Sequence, residues 1–295
     1  KEETAEVEEV VVTGYFNRTK QSSTGAEVSV KGEELRKVGS LNMLQAISAF
    51  DPSVRTLPNN QWGSDPNHVP EISIRGENGF DLRSSADDSR TNPNAPLYIM
   101  DGIEVTATTV YDLDMNRVAS VTLLKDAAAK AIYGSKAGNG VVVIETVRPQ
   151  MGELRVYYSG DFGIEAPDLT GYDLMDAQEK LDFEVGIGMY SPNTAPGVIT
   201  AVESYKKVYD DIQRGVNTYW LSQPLRVGFS HKHSLTLEGG DERMRYQFGL
   251  SYNNTAGVMK ASERNTLNAN TTLSYTYKSL LFRNTIEFTD RKSVV

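Results

Sequence analysis

From Leu154 onward, hydrophobic side chains recur at every second position. Leu154, Val156, Tyr158, Phe162 and Ile164 alternate with Arg155, Tyr157, Ser159 and Asp161. Tyr246, Phe248, Leu250 and Tyr252 alternate with Gln247, Gly249, Ser251 and Asn253. Leu267, Ala269, Leu273, Tyr275 and Tyr277 share one parity, and Phe282, Ile286 and Phe288 share another. A period of two predicts strands with one apolar and one polar face. Segments of about ten residues, rich in Tyr and Phe, have the pattern of transmembrane barrel strands. A soluble β-sandwich alternates too, so the pattern alone leaves that architecture open. Short links at Gly240–Glu242 and Lys278–Ser279 alternate with long ones at 165–225 and 254–264. Such an alternation predicts tight turns on one rim and external loops on the other. The segment 165–225 contains helix-like stretches near Leu174–Gly186 and Ile199–Arg214, and its length predicts a folded insertion.

Residues 22–150 follow a different pattern. Ser40 is placed to cap a helix that buries Leu41, Leu44 and Ile47. Glu71–Gly76 alternates, with Ile72 and Ile74 on one face. Pro96–Gly102 reads as a strand entering an Asp-Gly turn, and Ile103–Val105 resumes beyond it. After an Ala-rich helix and Gly134 at its C-cap, Val141–Ile144 is an uninterrupted apolar run, as expected for a strand buried on both faces. These elements predict a compact α+β domain. Ahead of it, an acid-rich leader runs into Val10, Val11, Val12, Thr13, Gly14 and Tyr15. The valines have strong strand character but sit outside any obvious hairpin.

Composition narrows the function classes. The hydrophobic share is 39% and the charged share 23%, those of a folded chain. No apolar run approaches the roughly 18–20 residues of a membrane helix, so a closed β-barrel is the spanning architecture left open. A net charge of −9 argues against nucleic acid as the partner. With no cysteine there is neither a disulfide framework nor a thiolate metal site.

Several motifs resemble, in order, the landmarks of one family. "EEVVVTGY", "ISIRG", "PLYIMDG", "VTLLKDAAAKAIYGSKAGNGVVVIET" and "GVNTYWLSQPLRVGFSHKHSLTLEGG" are similar to segments of the SusC/RagA TonB-linked outer-membrane transporters. The resemblance implies an α+β plug domain followed by antiparallel transmembrane β-barrel strands, 22 in the whole family barrel. It implies a leader with a Ton box over residues 1–21, a plug over 22–150, and first barrel strands over 151–295 with an extracellular insertion at 165–225. Glu9, Val10, Val11, Val12, Thr13, Gly14 and Tyr15 become the expected TonB-binding segment, which adds as a strand to TonB in the periplasm. A SusD-like surface lipoprotein is the expected second partner, outer-membrane lipid surrounds the barrel, and a glycan or peptide is the cargo. Loops at Pro58–Pro70 and Gly76–Pro96 are expected to face that cargo, with Trp62, Phe80, Arg83, Asp87 and Asp88 as candidate contacts. Against the family pattern the extension domain before the Ton box and most of the barrel are missing. The chain is therefore expected to be a fragment that could not transport alone.

Other chemistry is not supported. Asp112-Leu-Asp114-Met-Asn116 opens like a calcium loop, but Arg117 and Leu123 stand where glycine and glutamate belong. Gly134–Gly140 matches no nucleotide-binding spacing. His231 and His233 share a strand face without a third metal ligand in view. No catalytic grouping or cofactor motif stands out, so no enzyme is expected. A surface receptor or signal transducer without transport, and a soluble β-rich binding module, are the competing functions.

Overall fold

The computed structural model describes residues 10–12, 17–19, 27–38, 43–56, 64–74, 94–125, 132–191 and 198–294. The chain forms two compact units. One comprises Lys1–Gly163, Phe229–Ala256 and Ser262–Val295; the other comprises Ile164–Gly228 and Gly257–Ala261.

In the first unit, β1 (Val10–Val12) pairs antiparallel with β2 (Asn17–Thr19). The valine segment thus lies in a short ribbon, contrary to the sequence expectation. The following domain contains β3 (Glu27–Lys31), α1 (Gly32–Val38), α2 (Met43–Phe50), β4 (Val54–Thr56), β5 (Ile72–Ile74), β6 (Leu97–Met100), β7 (Ile103–Val105), α3 (Ala107–Tyr111), β8 (Val118–Leu124) and β9 (Val141–Thr146). Its sheet has the order β3-β8-β9-β6-β7, with β6 and β9 parallel and the other pairs antiparallel. The run Val141–Ile144 is buried throughout, because β9 lies inside the sheet with apolar layers on both sides. Val142 and Ile144 join Leu35, Leu44, Ile47, Val121 and Leu123 on one side. Val141 and Val143 join Ile99, Leu124 and Ala137 on the other. Each such side chain contributes about 1.5–3 kcal/mol, so this domain has a core of its own. Ser40 and Leu41 lie outside the described residues, whereas Leu44 and Ile47 are buried on α2 as their spacing predicts. Asp101 and Gly102 both have positive φ, 48° and 86°, as a tight two-residue hairpin between β6 and β7 requires. Asp51, after α2, pairs with Lys125, after β8, at 2.6 Å with both side chains buried.

The rest of this unit is an antiparallel meander of β10 (Gly152–Glu165), β11 (Gly228–Gly240), β12 (Met244–Ala256), β13 (Glu263–Tyr277) and β14 (Leu280–Val294). These strands and their links match the alternating segments read from the sequence. Their polarity is inverted relative to a water-soluble protein. Tyr246, Phe248, Leu250 and Tyr252 on β12 are exposed, while Gln247 and Ser251 between them are buried. On β13, Leu267, Leu273, Tyr275 and Tyr277 are exposed, and Arg264, Thr266, Asn270, Thr272 and Ser274 are buried. Among the described residues the polar face lies against the N-terminal domain and the apolar face is left exposed, the reverse of a β-sandwich, where apolar faces pack on each other. On β13 the apolar stretch from Leu267 to Tyr277 is about 34 Å of strand at ~3.4 Å per residue. At a tilt near 40° it rises about 26 Å, matching the roughly 25 Å apolar band of an outer-membrane barrel. Above it, the outward row at His231, Asn254, Asn265 and Lys292 is polar.

The second unit carries α4 (Ala177–Gly186) and α5 (Val198–Gln213), close to the two helix-like stretches expected there. Asp176 starts α4 with a capping box: its carboxylate accepts from the Glu179 amide at 2.8 Å, and Glu179 accepts from the Asp176 amide at 3.0 Å. Leu181 on α4 and Ala201 on α5 are buried. Among the described residues no helix is long and apolar enough to cross a membrane, which says nothing of strands.

Candidate functional site

The segment between α3 and β8 joins the N-terminal domain to the wall. Thr106 caps α3 by accepting from the Thr109 amide at 3.2 Å, and Asp112 follows at the helix C-terminus. Asp114 caps a single 3-10 turn at Met115–Arg117 that leads into β8. Leu113 and Met115 point into the domain core, at 8% and 2% exposure. Their alternation turns Asp112, Asp114 and Asn116 the other way, onto the wall. The spacing that opens like a calcium loop therefore serves a strand-like alternation between core and wall.

Asp112 holds two guanidinium groups. Arg264 of β13 donates to it through Nε at 3.1 Å and through Nη2 at 2.7 and 3.0 Å. Arg291 of β14 donates through Nε at 2.7 Å. The Asp112 carbonyl accepts from Asn268 Nδ2 at 3.0 Å, and the Tyr111 ring lies 5.0 Å from the Arg264 guanidinium carbon. Asp114 takes Lys232 of β11 at 2.8 Å and accepts from Ser234 Oγ. Burial pushes the Asp114 carboxyl up. The Lys232 charge and hydrogen bond, together with Ser234 and the Asn116 amide, outweigh it and hold the group below its ordinary range. Asn116 donates to Ser159 of β10 at 2.8 Å, and Arg117 pairs with Glu287 of β14. Earlier in the chain, Asp65 accepts from Ser262 at 2.8 Å, and Asn67 donates to the Glu263 carbonyl at 3.2 Å. One short turn thus reaches β10, β11, β13 and β14 through polar contacts.

This polar contact under a lipid-sized apolar exterior is what a pore-filling domain inside a barrel needs, and comparison with known proteins agrees. Residues 19–141 match the family model "TonB-dependent Receptor Plug Domain". The N-terminal domain is thus similar to the plug of TonB-dependent receptors. The TonB-dependent receptor SusC of Bacteroides thetaiotaomicron is 27% identical over 99% of this chain and 27% of its own length. The TonB-dependent receptor P3 of Formosa agariphila is 28% identical over 92% of this chain and 24% of its own length. The fold is that of the RagAB peptide importer in its "open-open" state, with TM-score 0.73 at 22% identity over 97% of this chain and 32% of the other. The ferric enterobactin receptor PfeA of Pseudomonas aeruginosa shares it more loosely, at TM-score 0.56 and 14% identity over 96% of this chain and 35% of the other. The chain spans about a quarter of the length of the curated relatives it matches. The resemblance to the SusC/RagA type is thus borne out, and the α+β domain and strand meander have the fold of a plug followed by barrel strands.

Of the residues singled out in the sequence, Val10, Val11 and Val12 form β1. Glu9, Thr13, Gly14 and Tyr15 lie outside the described residues, as do Trp62, Phe80, Arg83, Asp87 and Asp88. His231 and His233 share the outward face, with rings 5.4 Å apart among Phe162, Phe229 and Tyr252, and His233 Nδ1 lies 2.7 Å from the Tyr158 hydroxyl. The Asp112–Arg117 contacts were not foreseen, since the partners of Asp112 and Asp114 lie more than 110 residues along the chain.

Proposed function

We propose that this receptor imports a glycan or peptide across the outer membrane, with the plug as a gate drawn open by TonB. In this reading Glu9–Tyr15 is the Ton box, in the periplasm, and the wall is the start of the barrel. The boundaries go with it: leader 1–21, plug 22–150, and barrel strands 151–295 with an external insertion at 165–225. A SusD-like lipoprotein covers the external side, and Trp62, Phe80, Arg83, Asp87 and Asp88 are cargo contacts. The observation that carries the proposal is the chemistry of the plug–wall contact. The plug has its own apolar core and meets the wall through carboxylates, guanidiniums, amides and hydroxyls. Such groups exchange a protein partner for water at modest net cost, whereas a shared apolar core would not. The leader supports it as well. A ribbon of two three-residue strands is marginal in water, so Val10–Val12 exchanges readily onto another sheet.

Deletion of Glu9–Tyr15 in the full-length receptor tests this. TonB binding and energised uptake should vanish while cargo binding at the cell surface persists. Uptake that survives the deletion removes the Ton-box assignment. Ligand-dependent signalling with no uptake in the intact receptor would favour the receptor-transducer reading instead.

A further inference from the structure

The wall residues that hold the plug form a pattern of their own. Lys232 stands opposite Asn253, Asn253 opposite Thr266, and Thr266 opposite Arg291, so Lys232 and Arg291 share one level three strands apart. At ~4.8 Å per strand that is about 14 Å. Arg264, two residues beyond Thr266 on the same face of β13, falls between them. Three cations thus form an arc on the lumenal wall, all on the external side of Glu287. In the seated plug they face two carboxylates, Asp112 and Asp114. The side chains between the cations are amides and hydroxyls: Asn253, Thr266 and Asn268.

We propose that, once the plug is displaced, this arc binds an acidic oligosaccharide, with Lys232, Arg264 and Arg291 taking the places of Asp112 and Asp114 on the ligand's carboxylates. The inference rests on the import reading and names the cargo class. Arginine forks match carboxylates two bonds at a time, as Arg264 already does with Asp112 through Nε and Nη2. The intervening amides and hydroxyls match the hydroxyl groups that a glycan presents between its carboxylates, where an acidic peptide presents methylene stems, which is why a uronate-bearing glycan is favoured over an acidic peptide. The ligand would then compete with the plug for the same cations, so that binding favours the unlatched state.

The test uses the full-length receptor in planar bilayers, with Asp112→Asn/Asp114→Asn to uncover the arc. Oligogalacturonate, neutral maltooligosaccharide of equal length and oligoglutamate are the probes, and current block is the readout. Oligogalacturonate should block at least tenfold more tightly than the neutral sugar, and more weakly as salt rises. Adding Lys232→Gln, Arg264→Gln and Arg291→Gln should erase the difference. Equal block by acidic and neutral sugars, or a preference that survives the triple replacement, overturns the arc. Tighter block by oligoglutamate overturns the glycan assignment. If the double variant does not assemble, Asp112→Asn alone is read with the same probes. TonB-dependent uptake is measured separately, so its persistence alongside a failed probe experiment sinks only this inference.

Discussion

Replacing Asp112 by alanine removes one carboxylate and strands two guanidinium groups of different standing. The Arg264 side chain is 5% exposed and that of Arg291 is 35% exposed. A buried cation that loses its partner costs about 3–5 kcal/mol, whereas a half-solvated pair contributes about 0–1 kcal/mol. Nearly all of the effect should therefore come from Arg264. Because Arg264 sits on the wall and Asp112 on the plug, the penalty falls on the seated state, where water cannot reach the guanidinium. At about 1.4 kcal/mol per tenfold, the balance between displaced and seated plug should move by roughly two to four orders of magnitude. Hydrogen–deuterium exchange across Asp112–Arg117 in the bilayer-embedded, full-length receptor reads this directly, because this turn gains solvent when it leaves the wall. Asp112→Ala should speed exchange there strongly, Arg291→Ala by tenfold at most, and neither should loosen α4. Equal effects of the two replacements, or none from Asp112→Ala, would refute the view that the buried Asp112–Arg264 pair holds the plug.

Two further outcomes follow from the same geometry. Phe248, on the outward row with Leu237, Thr271 and Ile286, should cost about 2–4 kcal/mol of folding stability in lipid when changed to Arg; a neutral result in urea titrations of the bilayer-inserted barrel would contradict the lipid-facing assignment. The Asp114 carboxyl lies below its ordinary value of 3.8 in the seated plug, so its contribution is complete above about pH 4 and is lost as pH falls through the lower, folded value. The difference in exchange between wild type and Asp114→Asn should accordingly be constant from pH 5 to 8 and shrink only under stronger acid; a change near neutrality would count against it.

What was legible in the sequence was local. Val141–Ile144 announces a doubly covered strand because four apolar residues in succession admit no exposed face, and Asp101-Gly102 announces its turn because few other pairs accept positive φ twice. The wall strands were readable as alternation, but only the structure shows which parity faces outward. The ribbon of β1 and β2 was missed because Asn17-Arg18-Thr19 carries little strand signal beside the valines. The plug–wall turn was illegible for a different reason. Its pattern, Asp-Leu-Asp-Met-Asn, is set by a core on one side and basic side chains on the other, and those bases belong to strands distant in the chain.

The inverted polarity of the wall also bears on biogenesis. Leu154, Tyr158, Phe162, Phe248 and Phe288 remain exposed until lipid covers them. A newly exported chain must cross an aqueous compartment with these side chains uncovered, and stacking of such faces between copies is the physical route to precipitation. The plug, which buries its own apolar layers, has no such need. Export should therefore depend on a holding chaperone that shields the strand-forming half and can ignore the domain ahead of it.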